Sequence, residues 1–167
     1  MIMKKVFLAL TLLLVSLVGN AQVNHLKFAG IPIDGTQESF ETQLINKKGF
    51  RKVMWKGQPF LEGSFLNETV MVQTALGPRT GKVAFVTIHP KKEHSGQSIL
   101  QEVDRWKGII QGTHSINLNV QGNYYKGEMN SPSLGRGRIG LDCVQSDPAN
   151  DLYVVRIVFV DSENIGK

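Results

Sequence analysis

The side chains able to do chemistry are few and scattered. The four histidines are His25, His89, His94 and His114. None stands in H-x-x-x-H or H-E-x-x-H spacing, and no C-x-x-C accompanies them, so nothing local prepares a zinc site. His89 and His94 flank Pro90-Lys91-Lys92-Glu93, where two lysines would repel a cation, and both read as solvent-facing loop residues. Cys143 is the single cysteine. Period-two alternation puts it on the side of Ile139 and Leu141, as a small buried hydrophobe rather than an activated thiol. Gly135-Arg136-Gly137-Arg138-Ile139-Gly140 spells G-x-G-x-x-G. A dinucleotide site needs a strand before that motif and a helix after it. Here a Ser-Pro-Ser turn precedes and a strand follows, so the glycines read as permissive backbone. Asp147, Asn150 and Asp151 lack the alternating ligands and closing Glu of a calcium loop. No serine stands in G-x-S-x-G, and no carboxylate pair is set apart from the surface charges. The sequence therefore names no catalytic residue, no metal ligand and no cofactor.

Binding is the chemistry left to consider. Aromatic residues and arginine concentrate at contact hot spots, which selects Trp55, Tyr124, Tyr125 and Arg136 as candidates. Tyr124 and Tyr125 are adjacent on a candidate strand, so they must point to opposite faces. Cross-strand packing is the ordinary use of such tyrosines.

Two helices and a set of strands have to position these residues. The first helix is expected over 37–48, capped by Asp34 or Thr36 and stopped by Gly49, with Phe40 and Leu44 inward. The second is expected over 99–111. Ser98 and Gln101 would form its capping box, Ile99, Val103, Trp106 and Ile110 its apolar stripe, and Gly112 its stop. Elsewhere the pattern turns to period two, giving strands near 51–55, 60–66, 69–76, 82–89, 115–121, 124–129, 136–144 and 152–160. The last is apolar almost throughout, as a central strand covered on both sides would be. The order is helix then four strands, twice, with pseudo-repeats over about 36–90 and 97–161. The fold class is α+β: antiparallel sheet with two helices, in a duplicated helix-plus-four-strand unit.

The N-terminus sets the compartment. A basic head at Met1–Lys5, thirteen mostly apolar residues from Val6 to Val18, and small Gly19 and Ala21 before Gln22 lay out a secretory signal peptide over 1–21. That leaves a single domain over 22–167, periplasmic or secreted, with no membrane span after processing. Loss of Lys4 and Lys5 lowers the formal charge from +5 to +3. Scattered basic residues at that charge make no phosphate-tracking face, which argues against nucleic acid as a partner.

The stretch His25-Leu26-Lys27-Phe28-Ala29-Gly30-Ile31-Pro32-Ile33-Asp34-Gly35-Thr36, followed by Phe40, Leu44 and Lys48-Gly49-Phe50, resembles the opening of small exported proteins of gut anaerobic bacteria. In that uncharacterised family, a strand with H-L-x-F-x-G-I-P-I-D-G precedes a short helix ending in K-G-F. The resemblance implies export and a fold, but no activity. The element order is also similar to the β-lactamase inhibitory protein architecture, a likeness of order alone. The leading expectation is a non-enzymatic exported binding or interaction module with a protein partner in the cell envelope or outside the cell. The alternatives are a small periplasmic hydrolase whose site forms only in space, and a carrier for a lipid or small ligand. The export reading has a direct check: intact-mass analysis of the exported protein should give a chain beginning at Gln22, and retention of Met1 would reject it.

Overall fold

The computed structural model describes residues 23–166. The signal peptide expected over 1–21, with its expected cut before Gln22, lies outside them. The described chain opens with a minimal hairpin of β1 (Lys27–Phe28) and β2 (Ile31–Pro32), turned at Ala29 and Gly30. Helix α1 (Gln37–Lys48) follows. The Thr36 hydroxyl accepts the Ser39 N–H at 3.2 Å, which satisfies one orphan donor, and Gly49 ends the helix at φ 72°. Four strands come next: β3 (Arg51–Trp55), β4 (Gln58–Phe65), β5 (Glu68–Leu76) and β6 (Val83–Pro90). After the short β7 (His94–Ser95) and helix α2 (Ile99–His114), the second set is β8 (Asn119–Gln121), β9 (Tyr124–Ser131), β10 (Gly135–Asp147) and β11 (Leu152–Asp161).

All of these strands except β1 and β2 form one sheet, in the order β3-β4-β5-β6-β11-β10-β9-β8, with β7 beside β11. Every ladder in it is antiparallel. The fold is thus α+β, and each helix-plus-four-strand half gives its strands to the same sheet. The register makes the duplication a pseudo-two-fold. Aligning the β5–β6 and β10–β11 registers on Val72 and Ile139 matches Ile88 with Phe159 and Val86 with Ile157. The two seam pairs, Ile157↔Ile88 and Phe159↔Val86, then exchange with each other.

Both helices lie on one face. Phe40 and Leu44 of α1, and Val103, Trp106 and Ile110 of α2, pack on a floor that includes Leu61, Val72, Val86, Ile88, Ile139, Leu141, Ile157 and Phe159. Cys143 joins the edge of this core, half-buried and on the side of Ile139 and Leu141; burial pushes its thiol pKa up. Among the described residues, the other face carries no helix. Val158 and Val160 of the central strand are half-buried there, so β11 is central in the ladder but covered by helix on one side only.

Three local expectations are corrected. Helix α2 does not stop at Gly112 but runs to His114, with Ser115 taking the left-handed cap at φ 52°. His114 continues the buried stripe one turn further, against Phe65 and Phe159, and that burial carries the helix through its glycines. The capping box does not form: Ser98 is itself helical, and its hydroxyl turns back to the Ser95 carbonyl at 3.3 Å. The strand expected over 115–121 is ordered as β only from Asn119. Ahead of it, the Leu118 N–H donates to the Gln111 side chain at 3.2 Å instead of to a neighbouring strand.

Trp106 is fully buried and central to the α2 stripe. Trp106→Ala should cost about 3–5 kcal/mol of unfolding free energy. Denaturant melts check it, and a loss below about 1 kcal/mol would remove Trp106 from the core.

Candidate functional site

The site starts from a missing hydrogen. Leu66 and Asn67 both have positive φ, so β4 and β5 are joined by a two-residue turn whose flanking pair Phe65↔Glu68 is hydrogen-bonded. Alternation makes Gly63↔Val70 and Leu61↔Val72 the next bonded pairs, and Pro59↔Thr74 would follow. Proline has no N–H to give. The ladder ends at Leu61↔Val72, and only the Gln73 amide reaches across, to the Pro59 carbonyl at 3.5 Å. The second half supplies the internal comparison. There Ile139↔Gly127 corresponds to Val72↔Leu61, and pairing continues to Leu141↔Tyr125. Tyr125 stands where the first half has Pro59. One imino acid therefore splits β4 from β5 inside the sheet.

Freed from β5, the end of the β3–β4 hairpin bends over the helix-free face. Lys56 at its tip donates to the Ser146 carbonyl at 2.9 Å and pairs with Glu93. In a flat sheet the tip and β10 would stand roughly 20 Å apart. Trp55 folds inward with it, edge-on to Phe60 at 5.0 Å and 5.9 Å from His89. Phe60, Met71, His89 and Val154 are consequently buried without belonging to the main core. They form a second, smaller core under the bent hairpin. His89 is thus no loop residue: it is on β6, and burial depresses its pKa. His94 is likewise on a strand, β7, with its side chain only 10% exposed near Glu102. Both expectations of solvent-facing histidines fail, because the hairpin and α2 cover these positions.

The split opens a cleft of about 630 Å³, within the range of small-ligand sites. Its apolar lining includes Met54, Phe60, Leu61, Val72 and Ala75. Its polar rim is Glu41, which accepts from Gln37 at 2.8 Å and Thr74 at 3.0 Å and faces the Lys52 ammonium at 3.8 Å. Comparison with family models, with curated proteins and with solved structures returned no match. What the cleft can do must come from its own chemistry. The Glu41 carboxylate is already engaged by a hydroxyl and an amide, with the Lys52 ammonium nearby.

Among the described residues, an arrangement that looks catalytic lies elsewhere. His25 Nδ1 lies 3.2 Å from Asp161 and Nε2 3.5 Å from Asp34. Asp161 is fully buried and also accepts the N–H groups of Leu26 (2.6 Å), Glu163 (3.1 Å) and Asn164 (2.9 Å). Each ring nitrogen faces a carboxylate, so neither is directed at a nucleophilic hydroxyl or thiol. The H-L-x-F-x-G-I-P-I-D-G stretch is therefore a clasp. The G-x-G-x-x-G segment receives it: a methyl group at Gly135, φ 93°, would land on the His25 carbonyl.

The four sequence-selected residues are not gathered. Trp55 lies half-buried beneath the bent hairpin. Tyr124 is 40% exposed on the helix-free face, donating to Gln121 at 3.0 Å. Tyr125 points to the opposite face, bonded to Asp104 at 3.2 Å with Lys107 over its ring. Arg136 is exposed and 3.5 Å from Glu163. Trp55 and the tyrosines stand on β3 and β9, with five strands between them. Sequence reasoning missed Glu41, Lys52 and Thr74, which only the split brings together. Pro59 was the available signal: a proline inside an alternating run marks a broken ladder edge.

The buried histidines give a pH dependence. Desolvation lowers the pKa of both His89 and His114. The unfolded chain therefore takes up protons first, and stability falls as pH drops below the ordinary value of about 6.5. Urea melts between pH 7 and pH 5 should show this loss, and His89→Phe with His114→Phe should flatten it. An unchanged slope in the double variant would reject the assignment.

Proposed function

We propose that the protein is an exported binding module that holds its ligand in the split between β4 and β5, and that it carries out no chemistry on that ligand. The observation that carries this reading is the Pro59 break. It exposes a recess with an apolar floor and a polar rim between two neighbouring strands of the sheet. A carrier for lipid would favour a closed, fully apolar cavity, and this recess carries Glu41, Lys52, Thr74 and Gln37. No helix among the described residues is long and apolar enough to cross a membrane. The expected ligand is part of a protein in the envelope or outside the cell.

The test is a comparative pull-down from the envelope fraction with the mature chain. Ala75 is exposed and lines the cleft, so Ala75→Trp fills the recess at a stability change within about 1 kcal/mol. The partner retained by the wild type should be lost with Ala75→Trp and kept with Tyr124→Ala. The reverse pattern would move the site to the β8–β9 end of the sheet.

A further inference from the structure

The split does more than open a recess. It leaves one edge of an interior strand without a partner. Alternation along β5 turns the backbone N–H and C=O of Thr74 toward β4, where Pro59 cannot answer, and those of Leu76 to the same side beyond the end of the ladder. The β4–β5 register ends at Leu61↔Val72, so no ladder partner on β4 faces these groups. Ala75 and Leu76 are exposed, with Leu76 at 44%. Such a row of free donors and acceptors is a template for another extended chain.

The second half of the molecule indicates what fits. At the equivalent place β10 presents Leu141, and β9 lies against it with Tyr125 as the paired residue. The occupant of the position is thus a strand wherever the chain can supply one. In the first half the chain's own strand is held away by the burial of Phe60 and Met71 under the bent hairpin, whose tip Lys56 sets against Glu93 and Ser146. Its pseudo-equivalent, Gly122 in the β8–β9 turn, has no side chain to do so.

We propose that β5 captures an extended segment of a partner protein by β-strand pairing at Thr74–Leu76. The segment's backbone would complete the ladder that Pro59 interrupts. Its alternate side chains would fall to the two sides of the sheet: an apolar one toward Met54, Leu61 and Val72, a small one over Ala75. The rim's one carboxylate and one ammonium, Glu41 and Lys52, face each other, so an uncharged segment is the matching chemistry. This inference rests on the reading of the split as the binding site and names its ligand class.

The probe is the blocked hexapeptide acetyl-Thr-Val-Thr-Val-Thr-Val-amide, together with an analogue N-methylated at alternate residues. The protein is the mature wild-type chain. Amide hydrogen exchange at Thr74 and Leu76 should slow by about tenfold or more at saturating peptide, and the N-methylated analogue should bind at least about tenfold more weakly, because it cannot donate along the ladder. Equal binding by the two peptides, or no added protection at Thr74 and Leu76, would overturn strand pairing. The two readings fail separately. If Ala75→Trp still loses the envelope partner while the peptide protects nothing, the split remains the site and its ligand is not a strand. If peptide protection appears but Ala75→Trp keeps the partner, β5 pairs with peptides and the envelope partner sits elsewhere.

Discussion

A single carboxylate with no contact to water ties the two halves together. Asp161 ends β11 at the seam, and an unpaired charge at that depth would cost several kcal/mol. It is answered by three backbone N–H groups and His25. Those donors come from both ends of the described chain: Leu26 from the opening clasp, Glu163 and Asn164 from the segment after β11. Asn164 carries the connection onward, its amide donating to the carbonyls of Ile33 and Val83, each at 2.9 Å. Val83 begins β6, the other strand of the seam. Only four residue pairs join β6 to β11, so the clasp supplies a second attachment between halves that the ladder alone holds narrowly.

The two halves repeat one strand register, and the large departure from it at Pro59 opens the cleft. Under the pseudo-two-fold, Pro59 meets Tyr125, Lys56 meets Gly122, and Thr74 meets Leu141. In the second half those residues close the ladder and pack the strand on α2 through Tyr125 and Asp104. In the first half the same positions open a gap and turn a threonine toward Glu41. An unpaired interior edge is a liability for aggregation. Here it is short, and the bent hairpin limits access from the helix-free face.

The frame was legible in the sequence because it is written in periodicity. The two stripes, Phe40 with Leu44 and Ile99 with Val103, Trp106 and Ile110, fixed the helices. The repeated helix-then-strands order implied the duplication, although pattern alone could not say that both halves enter one sheet. The boundaries of α2 went astray because tertiary burial of His114 outweighs Gly108 and Gly112, whose local cost is about 1 kcal/mol each. His89 was misplaced for a related reason: its cover is Trp55, more than thirty positions away on a hairpin that folds back. The cleft itself was out of reach. Glu41, Lys52 and Thr74 lie on a helix and two strands, and a missing N–H at Pro59 shows its effect only once the partner across the ladder is known.

The bent hairpin has two holds of unequal strength. The Lys56–Glu93 pair is partly exposed, 38% and 31%, and such pairs contribute about 0–1 kcal/mol. Lys56 and then Ser146 keep the Glu93 carboxyl below its ordinary range, so this hold persists through neutral pH and fades only when acid reaches that lowered value. Beneath it, Phe60 and Met71 are almost wholly withdrawn from water, and each such side chain contributes about 1.5–3 kcal/mol relative to exposure. Apolar burial therefore decides that the hairpin bends, and the ion pair decides where its tip comes to rest. The consequence falls on the split. Breaking the pair alone would let the tip drift while the second core stays closed, so the free edge of β5 would remain open. Only loss of the Trp55–Phe60–His89 packing would let β4 swing back toward β5, and even then Pro59 would leave Thr74 without its partner.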